Sequence, residues 1–161
     1  MLDRNYWFLL SSGKFKKILK NLTQSARGDG LKVLIVEDDP LIVKIYEVKL
    51  RDLGFEIKAL RNAEGNFVKQ VGDFNPDLIL LDLILCGEQE HCIDGFAAYE
   101  MLKLKKETRD IPVIFLTNRF DQSDIDRAKI LGADSYIIKA GMTPSQVAGK
   151  ILETIQLKQR K

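Results

Sequence analysis

Short aliphatic runs alternate with segments of helical periodicity from about residue 31 to the end of the chain. Each run has the length and composition of a β-strand, and apolar positions spaced three or four apart follow it. The predicted strands are Lys32–Val36, Phe55–Leu60, Asp77–Asp82, Val113–Thr117 and Ser135–Ile138. The predicted helices are 41–53, Ala63–Val71, Gly95–Lys106, Ser123–Leu131 and a last helix from a cap at Thr143 to about Leu157.

Helix-boundary residues support these assignments. Asp39 suits an N-cap and Pro40 the first helical position, while Gly54 suits the end of the same helix. Gly72 is predicted to close the second helix. The segment 143–146, Thr-Pro-Ser-Gln, combines a capping box with proline at the first position and predicts the start of the last helix.

Strands one, three and four are too apolar to face water on either side. This pattern predicts a doubly wound α/β fold, in which helices cover both faces of a five-stranded parallel sheet through right-handed crossovers. The chain of 161 residues, 45% hydrophobic and 30% charged, is long enough for one such domain with a real core.

The charge lies unevenly along the chain. Residues 1–30 carry six Lys or Arg against two acids, a net charge of +4, whereas the whole chain carries +2. We expect this basic N-terminal extension to be flexible or to form an amphipathic helix, with a possible weak membrane or partner contact by residues 5–22. A wrongly assigned translation start is a further alternative.

Two further sequence features bear on location. The apolar run Tyr6–Leu10 is too short for a signal peptide or a membrane span, and two cysteines are too few for a disulfide framework. We therefore expect the protein to be cytoplasmic.

Polar residues capable of chemistry follow or end four of the predicted strands. They are Glu37, Asp38, Asp82, Thr117 and Lys139. Asp82 closes a run of Leu and Ile where a polar residue without a role would be costly. Because the carboxyl ends of parallel strands meet at one edge of a sheet, we expect these side chains to converge.

The chemistry of this set points to a phosphoryl group and a metal. Three carboxylates close together repel one another, and magnesium relieves this because it binds carboxylates, backbone carbonyls, waters and phosphate oxygens. Lys139 adds a positive charge suited to a phosphoryl group, and the Thr117 hydroxyl can donate to another phosphoryl oxygen. Asp82 lies centrally and is the candidate nucleophile towards phosphorus.

Each of these residues also has an ordinary interpretation. A single acid at a strand end is usually a loop residue, a lone threonine or lysine there means little, and Asp39 is most simply a helix cap. The occurrence of the whole set at predicted strand ends is what indicates a site.

Four segments carry a resemblance to a known family: "VLIVEDDP", "PDLILLD", "IPVIFLT" and "ADSYIIK". In this order they resemble the acidic-pair, phospho-acceptor, threonine and lysine strands of the receiver domain of two-component response regulators. The resemblance covers about residues 31–158 and leaves 159–161 as a basic tail. It implies a flavodoxin-like (βα)5 fold with strand order 2-1-3-4-5.

The resemblance also implies roles for single residues. Asp82 would accept a phosphoryl group from a phosphohistidine on a sensor histidine kinase or phosphotransfer protein. Asp38, Asp82 and the backbone carbonyl of Ile84 would bind Mg²⁺ directly, and Glu37 would act through water. Lys139 would contact the acceptor and then the phosphoryl group.

Two further residues would act as the switch. The resemblance implies that Thr117 swings towards the phosphate and that Tyr136 changes rotamer with it. The face built from the fourth helix, fifth strand and fifth helix would then read out the change. The alternative for Tyr136 is an ordinary half-buried strand aromatic.

Two single residues depart from the family pattern. Ala140 follows the lysine where the family usually has proline, and we expect a trans bond before it because a cis bond before a non-proline residue costs about 2.5–4 kcal/mol. Asn118 follows the threonine where a small residue is usual, and it could narrow phosphoryl access and slow hydrolysis.

The loop after Asp82 is about five residues longer than usual. Between 86 and 93 it holds Cys86, Glu88, Glu90, His91 and Cys92. Zinc binding is the less favoured interpretation, since the spacing matches no standard site, and a solvated loop that tunes partner choice is the preferred one.

The leading hypothesis is a stand-alone, phosphorylatable receiver that is not an enzyme. We expect no output or DNA-binding domain after the last predicted helix, and therefore signalling through contacts with an unknown downstream protein or onward phosphotransfer. One alternative is a phosphorylation-independent, receiver-like binding module. The other is a phosphohydrolase, but Ile84 stands two residues after the nucleophile where that chemistry wants a second acid.

Overall fold

A computed structural model describes residues 30–85 and 93–160 of the chain. In chain order the elements are β1 (Lys32–Val36), α1 (Pro40–Asp52), β2 (Glu56–Leu60), α2 (Phe67–Phe74), β3 (Leu78–Leu81), α3 (Gly95–Lys103), β4 (Val113–Thr117), α4 (Gln122–Leu131), β5 (Ser135–Ile138) and α5 (Pro144–Gln159). The interpretations of residues 1–29 and of the 86–92 loop, zinc included, lie outside the described residues and stay predictions.

The five strands form one parallel sheet in the order β2-β1-β3-β4-β5. The predicted alternation of strands and helices and the predicted strand order 2-1-3-4-5 are confirmed. The order reverses between β1 and β3, which are neighbours in the sheet. In an open parallel sheet this switch point opens a crevice at the carboxyl ends of the strands.

Two apolar clusters cover the two faces of the sheet. On one face, α1 and α5 bury Tyr46, Leu50 and Ile151 against the strands. On the other face, α2 and α3 bury residues such as Phe67 and Tyr99. Burial of strands on both faces explains why β1, β3 and β4 consist almost entirely of apolar residues. Within the described residues, no helix is long and apolar enough to cross a membrane.

The predicted helix caps of α1 and α5 are present. The Asp39 carboxylate accepts a hydrogen bond from the Leu41 amide at 2.7 Å, and Gly54 leaves the helix at φ 96°. The Thr143 and Gln146 side chains make the reciprocal capping box at the start of α5. These ends follow from local chemistry, because each cap satisfies backbone groups that the helix itself leaves unpaired.

The predicted bounds of α2 were wrong. The helix was expected over Ala63–Val71 with Gly72 as its end, but it runs from Phe67 to Phe74 and contains Gly72. It ends at Asn75, which adopts φ 51° and donates its backbone N–H to Val71 O. Asparagine tolerates this left-handed conformation, so it serves as the cap in place of glycine.

The predicted end of α3 was also too late, at Lys106 instead of Lys103. The Thr108 hydroxyl donates to Leu102 O at 2.7 Å, and Lys103 Nζ donates to the carbonyls of Arg109 and Ile111. These side chains satisfy carbonyl groups near the helix end and in the following turn, so the chain can leave the helix one turn early.

Candidate functional site

Three carboxylates meet where β1 and β3 end. Glu37 and Asp38 follow β1, Asp82 follows β3, and one oxygen of each lies within 4.8 Å of the others. Glu37 and Asp82 are only 4% and 6% exposed. Because β1 and β3 are paired in register up to Val36 and Leu81, the residues just beyond them meet at the switch point.

Lys139 brings the fifth strand into the same cluster. Its Nζ lies 2.7 Å from Asp82 Oδ2 and 2.5 Å from Glu37 Oε2. The side chains of all three residues are less than 10% exposed. One ammonium group therefore offsets part of the repulsion between two buried carboxylates.

Burial and charge shift the pKa values in this cluster. Burial raises the pKa of Glu37 to about 7, although the hydrogen bond from Lys139 works in the opposite direction. Burial favours a lower pKa for Lys139, but the hydrogen bonds to Asp82 and Glu37 outweigh it and the pKa is raised. Lys139 therefore stays charged, as a contact to a phosphoryl group requires.

The Asp82 carboxylate is aimed by the backbone around it. Asp82 Oδ1 accepts a hydrogen bond from the Leu83 amide at 2.7 Å, which leaves Oδ2 to Lys139. Gly95, the first residue of α3, packs directly against this turn, and a Cβ atom there would lie 2.1 Å from Asp82 O. Gly95 thus allows the close packing at the acceptor strand end. The sequence pattern does not reveal this role, although Gly95 directly follows Asp94, whose carboxylate caps α3 by accepting a hydrogen bond from the Ala97 amide.

Thr117 ends β4 and is fully buried. Its hydroxyl accepts a hydrogen bond from the Arg119 amide at 3.3 Å. Tyr136, on the neighbouring strand β5, donates its hydroxyl to Arg119 O at 2.9 Å and packs its ring 6.2 Å from that of Phe115. Burial raises the pKa of Tyr136 to about 12, and the nearby Asp124 carboxylate is the second cause of this shift. The phenol therefore remains protonated and can donate a hydrogen bond.

Three residues that bear on the competing interpretations lie close to site residues in the chain. Ala140 lies in a single 3₁₀ turn, Lys139–Gly141, and all peptide bonds of the described residues are trans, as predicted. Asn118 is exposed just beyond Thr117. The Ile84 side chain is 46% exposed, so an apolar group faces solvent where a hydrolase would want an acid.

The donor set fits a small divalent cation. Glu37, Asp38 and Asp82 offer carboxylate oxygens within 4.8 Å of one another, and hard cations such as Mg²⁺ prefer oxygen ligands. The Asp38 backbone carbonyl also accepts a contact from Arg61 at 3.4 Å, so this strand end is tied to the turn after β2.

Comparison with known proteins decides the family. The family model of the response regulator receiver domain matches residues 33–150 of the sequence. The chain belongs to the response regulator receiver family. The receiver is 34% identical over 120 residues to the phosphate regulon transcriptional regulatory protein PhoB of Escherichia coli (strain K12). The aligned region covers 74% of this chain and 49% of that protein. The protein of the same name from Rhizobium meliloti (strain 1021) is 32% identical over 118 residues, 73% of this chain and 49% of that protein.

The receiver spans about half the length of these curated relatives. Among solved structures it is similar to the signal receiver domain of a signal transduction histidine kinase from Syntrophus aciditrophicus, with 28% identity and a TM-score of 0.64 over 82% of this chain and 95% of that one. The signal receiver domain of a modulated diguanylate cyclase from Desulfovibrio desulfuricans G20 is 29% identical, with a TM-score of 0.67 over 80% of this chain and 95% of that one. The similarity therefore extends over most of the described residues.

Proposed function

We propose that this receiver accepts a phosphoryl group on Asp82 from a phosphohistidine of a sensor histidine kinase or a phosphotransfer protein. The observation that carries the proposal is the arrangement around Asp82. Its buried carboxylate lies 2.7 Å from Lys139 Nζ and within 4.8 Å of oxygens from Glu37 and Asp38. A nucleophile, a fixed positive charge and carboxylates that can hold a metal ion are the parts that phosphoryl transfer needs.

The proposed step exchanges one bond for another at phosphorus. A carboxylate oxygen of Asp82 forms the new O–P bond while the N–P bond of a phosphohistidine protonated on its other ring nitrogen breaks. The electron pair of that bond returns to the ring, so the histidine leaves as neutral imidazole. Lys139 stays protonated and neutralises charge on the phosphoryl oxygens, while the Thr117 hydroxyl donates to one of them. The product is an aspartyl phosphate, so the domain acts as a signalling switch and not as an enzyme that releases product.

In this proposal Asp38, Asp82 and the backbone carbonyl of Ile84 hold Mg²⁺, and Glu37 acts through water. The fit of the acidic cluster to a hard cation supports this assignment. The bound cation would supply electrostatic stabilisation of the negative charge that accumulates during transfer. The residues around it contribute orientation, because Leu83 and Lys139 each fix one oxygen of the acceptor carboxylate.

The proposed donor docks beside the site on α1. Leu41, Ile45 and Val48 form a row along this helix and are 72%, 52% and 46% exposed. Pro144 and Ser145, at the start of α5, complete a shallow groove beside them. A phosphohistidine must come within bonding distance of Asp82, and α1 begins two residues after Asp38, so an apolar helix of the donor would meet this row.

The proposed output is a change in protein contacts at the face formed by α4, β5 and α5. Thr117 and Tyr136 would move together when Asp82 is phosphorylated, since both contact Arg119. Receipt of the phosphoryl group from a sensor kinase would place this exchange in the cytoplasm. A phosphorylation-independent binding module is the second candidate, favoured only by the replacement of the usual proline with Ala140.

Intact-mass spectrometry after incubation with acetyl phosphate and magnesium tests the proposal. We expect one added phosphoryl mass in the wild type, and no adduct in the Asp82→Asn variant or without magnesium. Asp77→Asn is the matched control, because Asp77 lies at the opposite end of β3 and should leave labelling intact. An unlabelled wild type, checked at short times to exclude rapid hydrolysis, would favour the binding module. Turnover of a phosphomonoester that depends on Asp82 would instead indicate a hydrolase.

A further inference from the structure

Arg119 contacts both proposed switch residues through its backbone. Its amide donates to Thr117 Oγ1 at 3.3 Å, and its carbonyl accepts from the Tyr136 hydroxyl at 2.9 Å. Because the two hydrogen bonds belong to one residue, a movement of residue 119 alters both. The strand ends of β4 and β5 are therefore joined through the loop that leaves β4.

The Arg119 side chain ties the same loop to α4. Its Nε lies 2.6 Å from Asp124 Oδ2, and the Asp124 side chain is only 13% exposed. A second, longer contact joins Arg119 to Asp121 at 3.9 Å. A carboxylate as buried as that of Asp124 is costly to leave without a charged partner, so loss of the Arg119 guanidinium would be felt at this position.

Apolar packing does not anchor this loop. All four residues between β4 and α4, Asn118 to Asp121, are exposed, and Phe120 is 74% exposed. The position of the loop therefore depends on polar contacts, and Arg119 makes the contacts that reach β4, β5 and α4. Because apolar packing does not fix this loop, it can shift while the buried ion pair stays intact, as a switching element requires.

We propose that Arg119 is a positioning residue that couples the phosphorylation site to α4, with its ion pair to Asp124 as the mechanical link. The inference rests on the proposed function of Asp82. A displacement of Thr117 towards a phosphorylated Asp82 pulls on the Arg119 amide, and the guanidinium transmits that displacement to the first turn of α4. The Tyr136 hydroxyl follows because it is bonded to the same residue.

Amide NMR spectra of the full chain with magnesium and beryllofluoride, a mimic of the phosphoryl group, test this coupling. In the wild type we expect signal changes both at Leu83, beside the acceptor, and along α4. In Arg119→Met and in Asp124→Asn the change at Leu83 should remain, while the changes along α4 should fall by about half or more. The double variant should show no further loss, because both single changes remove one interaction.

Lys129→Met is the matched control. It removes one positive charge and one exposed ion pair from α4 without touching the loop, and it should leave both sets of signals responsive. Thermal unfolding of each variant shows whether it is folded. If Arg119→Met does not fold, Asp124→Asn provides the test of the ion pair.

Three results would contradict the inference. Wild-type responses along α4 in both variants would refute the link, although the proposed function would stand. Loss of the Leu83 response in the variants would mean that Arg119 acts on ligand binding itself. No response at Leu83 in the wild type would overturn the proposed function and, with it, the coupling.

Discussion

Lys139 holds two buried acids with one positive charge. Without it, Glu37 and Asp82 would face each other across a pocket that water hardly reaches, and one of them would have to take up a proton. This explains why a charged residue can follow the short strand β5, which is otherwise packed into the sheet. This pairing also makes Lys139 important for the stability of the fold as well as for the chemistry of the site.

We expect Lys139→Met to lower the free energy of unfolding by about 1–3 kcal/mol in the absence of divalent cations. The substitution breaks a buried ion pair, but protonation of Glu37 relieves part of the resulting repulsion and limits the loss. It should also abolish labelling by acetyl phosphate. Urea unfolding with EDTA measures the first effect. Lys150→Met, which removes a partly exposed pair with Glu153 within one helix, should change stability by less than about 0.5 kcal/mol. Equal losses in both variants would show that Lys139 has no special contribution.

The five residues at the strand ends could be predicted from the sequence, because a polar residue directly beyond a buried strand is conspicuous in the pattern. Gly95 and Arg119 could not be recognised in the same way. The contribution of Gly95 is the absence of a side chain against Asp82 O, and that of Arg119 depends on partners on three elements. Such roles arise from contacts between segments, which hydrophobic periodicity does not report.

At the scale of elements, the caps decide where each helix begins and ends. Asp39 and Thr143 were recognisable because capping chemistry is local. The bounds of α2 were predicted wrongly because Gly72 has the sequence character of a helix end, yet its φ is not positive. The left-handed capping conformation belongs to Asn75 instead, so the helix continues through Gly72 to Phe74.

Gly95 and Gly72 give a matched pair of substitutions. Gly95→Ala would place a Cβ 2.1 Å from Asp82 O, so α3 or the acceptor strand end must shift, and we expect a loss of about 1–3 kcal/mol together with slower labelling of Asp82. Gly72→Ala fills open space within α2 and should stabilise the protein by about 0.5–1 kcal/mol. Urea unfolding and intact-mass labelling measure both variants. Unchanged stability and labelling in Gly95→Ala would refute the close packing.

The exposed row on α1 makes a separate prediction about the donor. Ile45→Glu places a charge in the row and should slow phosphotransfer from whichever autophosphorylated histidine kinase labels the wild type fastest. Labelling by acetyl phosphate should be unaffected, since a small donor does not need the helix face. Leu104→Glu, at an 81% exposed position beyond α3, should alter neither rate. Equal slowing with both donors would locate the effect in the site instead of in docking.

At the scale of the whole molecule, the two apolar clusters hold a sheet whose carboxyl edge carries the charged groups. The fold and strand order could be predicted because doubly buried strands alternating with amphipathic helices allow few other arrangements. The same arrangement concentrates Glu37, Asp38 and Asp82 at one point, at a cost in repulsion that Lys139 only partly offsets. Global stability should therefore respond to any cation that binds there.

Magnesium should raise the thermal unfolding midpoint of the wild type, because a ligand that binds only the folded state adds stability by mass action. At ten times its dissociation constant the gain is about 1.4 kcal/mol, a shift of a few degrees for a domain of this size. In Asp38→Asn the shift should shrink sharply, since one carboxylate of the cluster becomes a neutral amide. Asp39→Asn is the control, because asparagine also caps helices and Asp39 lies outside the cluster. If magnesium stabilised Asp38→Asn as much as the wild type, the cation would be binding elsewhere on the molecule.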